Sequence, residues 1–485
     1  MLSSLMSMVP GTNDSRGALE VRAPFDGALI ATLDTATADV IERALATADR
    51  VFRDRSRWLG KDRRIEILLR TAELMQQQAP LLARLAAQEG GKPLSDSHVE
   101  VTRAIDGVRT SVECLRGNAG REVPMGLDAA TKRRLAFTHH EPIGPVVAVS
   151  AFNHPLNLIV HQVAPAIAAG NPVIVKPAED TPLSCYRFVQ LLREAGLPQD
   201  WCQALVVDDV ALATQLVTDP RVAFFSFIGS SQVGWMLRSK LSPGTRCALE
   251  HGGAAPVIIG ADADLDRAVP LLAKGGFYHA GQVCVSVQRV YCNEAVAHDF
   301  AKRLANAAGH LRVGNPMLET TQVGPLIRHR EVNRVHKWVL EAREHGAKVL
   351  AGGSTLTESC YSPTVLLDPP DHISVSQQEI FGPVVCVYSC ADVDEAITRA
   401  NALPVAFQAS VFTRDLDYAL YASSRLDASA VMVNDHTAFR ADWMPFAGLR
   451  QSGLGVGGIP YTFHEMQTEK MIVLNSGGLQ QGAVK

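Results

Sequence analysis

Phe224-Phe225-Ser226-Phe227-Ile228-Gly229-Ser230-Ser231-Gln232-Val233-Gly234 is the stretch that decides the fold of this chain. Its first five residues, four of them large and apolar, read as a strand buried on both faces. Gly-Ser-Ser then breaks the run, and helical spacing follows. A strand that ends in a glycine turn and opens a helix is half of a parallel crossover. The first N–H groups of such a helix can hold a phosphate. The plainer reading, with Ser230 or Ser231 as a helix N-cap, stays open beside it.

The same rhythm extends on both sides. Apolar runs at 145–152, 172–176, 203–207, 222–228 and 246–250 alternate with helical stretches near 157–169, 182–195, 209–217 and 231–240. This alternation predicts an α/β fold with a parallel sheet and ligand sites at the strand carboxyl ends. A second α/β rhythm runs from Pro256 to about Asn434, with strands near 256–259, 288–293, 384–389, 408–413 and 430–434. Upstream, apolar spacing predicts helices over 38–52, 61–88 and 98–118. The charged segment Glu122–Glu141 reads as a projecting strand pair, either a surface hairpin or an oligomerisation flap. Met471–Leu474 reads as an edge strand.

Composition narrows the function classes. At 485 residues the chain exceeds one simple core. A net charge of −4 gives no electrostatic case for a nucleic-acid partner. No apolar run reaches membrane-span length, and Met1–Pro10 lacks the basic start of a signal peptide. Nine dispersed cysteines without a CxxC pair point to a reducing, cytoplasmic setting and no metal site.

Several strand ends carry chemistry. Gly281-Gln282-Val283-Cys284 puts a thiol on a loop before a strand, suited to a nucleophile, although a lone cysteine is more often a buried structural residue. Phe152-Asn153-His154-Pro155 offers an amide to a developing oxyanion, or a helix N-cap. Leu249-Glu250-His251-Gly252 offers a general base, or a solvated loop carboxylate. Lys176-Pro177-Ala178-Glu179 suits the two hydroxyls of a ribose, or a surface salt bridge. Gly453–Gly458 satisfies GxGxxG, but no strand leads into it and Pro460 follows, so it reads as a glycine-rich connection.

Taken together these pieces resemble the aldehyde dehydrogenase superfamily over nearly the whole chain. Asn153 lies in FNxP, and Lys176–Glu179 is KPAE. Phe227–Gly234 is similar to F-T-G-S-x-x-x-G, with Ile228 in place of Thr. Glu250 stands in ELGG, here Glu-His-Gly-Gly, and Gly281–Cys284 is GQxC. Glu379-Ile380-Phe381-Gly382-Pro383 is E-x-F-G-P. Pro445–Gly448 followed by Arg450–Gly453 resembles the PFGG…K-x-SG ending. Seven motifs occur in family order.

The resemblance implies an aldehyde dehydrogenase-like fold. It comprises a Rossmann-type cofactor domain (1–120 and 143–252), an α/β catalytic domain (253–465) and β oligomerisation elements (121–142 and 466–485). A homodimer or homotetramer follows from it. It also implies the reaction: Cys284 attacks an aldehyde, Asn153 and the Cys284 N–H hold the oxyanion, and Glu250 activates the water that hydrolyses a thioester to an acid. Lys176, Glu179, Phe227, Gly229, Ser230, Gly234, Glu379 and Phe381 are the implied cofactor residues. NAD is expected before NADP, because Glu179 repels a 2′-phosphate by roughly 4 kcal/mol for charges about 4 Å apart at an effective dielectric near 20. A CoA-acylating relative, or a catalytically silent one, are the alternatives; retention of Glu250, Asn153 and Cys284 argues against both. Three positions depart from the pattern. His251 replaces Leu, Arg450 replaces Lys, and Val456-Gly457 stand where a second glutamate is common.

The substrate pocket reads as polar. Asn157 and His161 fall on the helical face of Asn153, Arg103 lies on a helix lining the family's tunnel, and Arg440 and Phe446 lie on its mouth loop. Guanidinium groups suit carboxylate, sulfonate or phosphonate, so a small polar or anionic aldehyde is expected. The nearest resemblance in pattern is to phosphonoacetaldehyde and lactaldehyde dehydrogenases. Plainer readings pair Arg103 with Glu100 or Asp106, bury His161 as a core histidine, and leave Arg440 solvated.

Overall fold

The computed structural model describes residues 5–12 and 14–479. The ends of the expected cofactor domain (1–4 and 13) and of the expected tail element (480–485) lie outside the described residues.

Two sheets organise the chain. The first has six strands: Val146–Val149, Val173–Lys176, Cys202–Ala204, Phe224–Ile228 and Arg246–Glu250, all parallel to their neighbours, with Gly453–Leu454 added antiparallel at one edge. Its strands are short and apolar because both faces are covered. Val146, Ala148, Val173 and Val175 pack into one core, while Val147 and Ile174 pack into another across the sheet. Alternate residues of a strand point to opposite faces, so a sheet buried on both sides needs continuous apolar runs. The second sheet has seven strands, with Val287–Asn293 between Ala255–Ile259 and Val384–Cys390. Its core is separate.

Some sequence expectations need correction. The helix expected over 61–88 is two, Lys61–Gln77 and Ala79–Gly90. Pro80 has no N–H to donate and fits only the first turn of a helix, so the chain restarts there. The helix expected over 98–118 runs Leu94–Arg116. The hairpin Ala18–Arg22/Leu29–Asp34 and the strands Lys348–Ala351 and Thr364–Leu367 carry no signal that had been read. The projecting pair within 122–141 is lopsided. Arg134–Pro142 meets only Glu122–Val123 on one side, and on the other pairs along its whole length with Gln467–Asn475. The tail strand is therefore twice the length expected from 471–474.

Two buried carboxylates start the helices that frame the site. Glu89 accepts the backbone N–H of Leu183 at 2.7 Å and of Ser184 at 2.8 Å. Glu100 accepts those of Leu156 at 2.9 Å and Asn157 at 3.0 Å, and pairs with buried Lys92. Neither helix has a side-chain cap of its own. A carboxylate supplied from another helix satisfies the orphan donors and complements the helix dipole.

Candidate active site

A cavity of about 630 Å³ runs between the carboxyl ends of the two sheets. Cys284, Glu250 and Asn153 line it together with Arg103, Asn157, Arg440 and Phe446. Lys176, Glu179, Phe227, Gly229, Ser230, Glu379 and Phe381 line it as well.

The cysteine loop is held under backbone constraint. His279, Ala280 and Gly281 have φ of 47°, 54° and 70°, three left-handed residues in succession. Such a run persists only where surrounding contacts enforce it. A Cβ on Gly281 would stand 2.1 Å from the Gly382 carbonyl oxygen, so the approach requires glycine. Gln282 is fully buried and its Oε1 accepts Ile327 N at 2.9 Å. Val283 and Val285 pack with Phe407 and Phe446. The thiol therefore stands on a turn clamped from both sides.

Asn153 is not an N-cap. Its Nδ2 donates to the Gln282 carbonyl at 2.9 Å, which leaves the second N–H of the amide free in the cavity that Cys284 also lines. Asn153→Ala is expected to lower turnover by about 10²–10³-fold, the cost of one oxyanion donor. Steady-state kinetics with an unchanged melting temperature check this.

Glu250 ends its strand opposite Gly453. A Cβ on Gly457 would lie 2.2 Å from Glu250 Oε1, so no side chain fits at 457 while that carboxylate stands there. Glu465, which sequence reading passed over, accepts Val456 N at 3.2 Å. Burial raises the Glu250 carboxyl, Arg440 opposes that, and Glu465 adds to it.

Burial pushes the Cys284 thiol up to about 12; Arg440 works against this, while Glu379 and Glu250 reinforce it. Its own backbone N–H also favours the thiolate. Below that value the thiolate fraction rises tenfold per pH unit. Alkylation of Cys284 by iodoacetamide, followed by mass spectrometry, should therefore quicken steadily between about pH 7 and pH 10. A plateau near neutrality would show a thiolate already formed in the empty site.

The phosphate turn is shaped for a dinucleotide. Ser230 precedes the helix Ser231–Arg238 without a side-chain cap bond, so its hydroxyl and the first-turn N–H groups are free. Gly234 does not line the cavity but packs beneath the turn: a Cβ there would stand 2.0 Å from His251 Cε1. His251 in turn faces the Gly229 carbonyl through Nδ1 at 3.1 Å. The departure at 251 thus wedges the turn from below. Lys176 pairs with Glu179. Glu379 Oε1 is buried without a partner, and burial raises its carboxyl to about 8. A buried acceptor of this kind suits a sugar hydroxyl. The residues present fit a nicotinamide dinucleotide.

The expected substrate residues divide. Arg103 pairs with neither Glu100 nor Asp106; it forks onto Asp442, with Nε–Oδ2 3.0 Å and Nη2–Oδ1 2.8 Å. His161 is 3 % exposed and lies behind the cavity wall, Nε2 to Asp442 Oδ1 2.7 Å, so the expectation of direct substrate contact is corrected. Arg440 is not solvated. Its guanidinium lies 3.5 Å from the centre of the Phe446 ring and 3.3 Å from His161 Nδ1. The glycine-rich stretch at 453–458 binds no phosphate turn; it supplies the edge strand beside Glu250.

A thiol beside a strained turn, an amide and a carboxylate thus line one cavity, with a glycine turn and a helix start on the same wall. Residues 11–472 match the aldehyde dehydrogenase family, and the chain belongs to it. It is 37 % identical over 457 residues to 3-sulfolactaldehyde dehydrogenase of Priestia aryabhattai, covering 94 % of this chain and 95 % of that protein. Its fold matches aldehyde dehydrogenase 21 from Physcomitrella patens in complex with the reaction product succinate, at a TM-score of 0.93 and 32 % identity over 99 % of both chains. It also matches glyceraldehyde-3-phosphate dehydrogenase GapN from Methanocaldococcus jannaschii complexed with NADP, at a TM-score of 0.91 and 32 % identity, covering 96 % of this chain and 100 % of that one.

Proposed function

We propose that the enzyme oxidises a small anionic aldehyde to its acid, with Cys284 as nucleophile, Asn153 as oxyanion donor and Glu250 as base. The observation that carries the anionic substrate is Arg440. It lines the cavity with Cys284, and no carboxylate among the described residues lies within salt-bridge distance of it. Its Nε is buried without a partner, as is Asn157 Oδ1. A recessed, unpaired guanidinium calls for an anion. The names of relatives agree with this: sulfolactaldehyde, aspartate semialdehyde and lactaldehyde are all small and polar, the first carries a sulfonate and the second a carboxylate beside an ammonium.

In the reaction, the Cys284 thiol gives its proton to solvent, the resulting thiolate adds to the aldehyde carbon, and the oxyanion of the thiohemiacetal accepts from the Asn153 amide and the Cys284 N–H. The bound dinucleotide supplies the hydride acceptor. The acyl group then rests on Cys284 as a thioester. Glu250 takes a proton from water as its oxygen attacks that carbonyl, releasing the acid. Hydrolysis rather than transfer to CoA follows from the retained base, and added CoA is expected not to speed turnover.

An NADH-coupled screen over carboxylated, sulfonated, phosphonated and neutral aldehydes tests the substrate class. Arg440→Met should lower kcat/KM for the best anionic aldehyde by about 10–100-fold more than for butanal, the worth of a charge-assisted hydrogen bond. Equal losses on both would remove Arg440 from anion recognition.

The cofactor reading is NAD. Glu179 would face a 2′-phosphate, and Lys176 is already paired to it; Glu179→Gln should narrow the NAD/NADP preference. Residues 121–142 and 466–475 are proposed to join subunits, since Gln467–Asn475 is the free edge of its sheet and Met471, Val473 and Leu474 on it are exposed. The domain division at about 252/253, between the two sheets, belongs to the same reading. A cytoplasmic setting is supported by nine unbonded cysteines. No helix among the described residues is long and apolar enough to cross a membrane.

A further inference from the structure

Asp442 is the least expected group beside the cavity. It is 4 % exposed, and both of its oxygens are engaged. Oδ2 accepts Arg103 Nε; Oδ1 accepts Arg103 Nη2, His161 Nε2 and, at 3.2 Å, Asn157 Nδ2. Burial opposes its charge, but the hydrogen bond from His161 and the guanidinium of Arg103 hold it far below the ordinary carboxylate range. It is therefore an anion at any working pH.

The bonds around it order the neighbouring protons. Arg440 Nη2 can only donate, so His161 Nδ1 facing it must accept. The ring proton then lies on Nε2, donated to Asp442. His161 is neutral, pushed down to about 4 by burial and by the charge of Arg440. Arg103 still reaches the cavity and keeps Nη1 free of Asp442, but its charge is cancelled at contact distance. Of these four groups, Arg440 alone presents an unbalanced positive charge to a substrate.

We infer that Asp442 is a specificity-determining residue that limits the site to aldehydes bearing one negative charge, carboxylate or sulfonate, and works against dianionic phosphonate or phosphate. This rests on the anionic-aldehyde reading above. A single charge on the substrate is met by Arg440. A second finds no unpaired cation, because the charge of Arg103 is already taken up by a buried carboxylate that stays ionised.

Three matched aldehydes test it: 3-sulfopropanal, 3-phosphonopropanal and butanal. The wild-type enzyme should favour the sulfonate over the phosphonate by tenfold or more at pH 8. The phosphonate/sulfonate ratio of kcat/KM should fall as pH rises through the second phosphonate ionisation, by up to tenfold per unit. The sulfonate keeps its charge throughout, so the enzyme's own titrations cancel in the ratio. Asp442→Asn releases the charge of Arg103 and should shift the ratio at least tenfold toward the phosphonate. The wild-type pH series stands even if that variant fails to fold. Equal use of both anions by the wild type, a flat ratio across pH, or a folded Asp442→Asn with an unchanged ratio would each overturn the inference while leaving anion recognition intact. Butanal turned over as well as the sulfonate would overturn the anionic reading and this inference together.

Discussion

Cys284→Ala should bring aldehyde-dependent formation of reduced cofactor down by on the order of 10⁴-fold or more, the loss expected when a covalent nucleophile is removed. The physical ground is the setting of the thiol. It follows a turn of three left-handed residues and lines one cavity with an amide and a carboxylate. Cofactor affinity, followed by fluorescence quenching, should be retained, because the phosphate turn and Glu379 are untouched. The other eight cysteines are inert bystanders in this view; Cys185, Cys202, Cys292, Cys386 and Cys390 are buried in the two cores, and Cys360 is buried outside them. A variant that kept a tenth of the wild-type rate would place the nucleophile elsewhere.

Glu250→Gln should separate the two halves of the reaction. Acylation of Cys284 does not need the base, so a rapid-mixing experiment should show a burst near one reduced cofactor per site. Steady turnover should then fall by roughly 10²–10⁴-fold. Intact mass should show the acyl group retained on the protein. The sign of the pH dependence follows from burial, which raises this carboxyl. The base works only when ionised, so wild-type deacylation should rise with pH through a value above the ordinary carboxylate range. The variant should lose that limb. A burst-free variant with ordinary turnover would remove Glu250 from the role.

Much of the site was legible in sequence because its parts are local. A strand that ends in Gly-Ser-Ser must turn at residue 229, whatever packs around it. Lys176 and Glu179 are three residues apart and meet. Gly281 closes a run of three left-handed residues at φ 70° just before the cysteine turn. Each of these depends on backbone geometry within a few residues. The helix break at Gln78 was equally local, and Pro80 could have shown it. The strands at 18–34 and 348–367 were missed for a different reason. Those at 18–34 and 348–351 are short, partly exposed and held by pairing partners rather than by propensity; Thr364–Leu367 is fully buried, but a run of four residues does not tell a strand from a helix.

Sequence alone determined the fold class, through continuous apolar strands and glycine turns, and the family and reaction, through a resemblance carried by seven motifs in order. Only the tertiary structure decided the charge of the substrate pocket. Arg103 and Asp442 stand 339 residues apart in the chain, and Asp442 and His161 are 281 apart. Nothing in the spacing of two arginines and a histidine says that one carboxylate, on a loop near the end of the chain, neutralises the first and orients the last. Charge pairing in a buried site is set by distance in space, and distance in space between remote residues is what folding supplies.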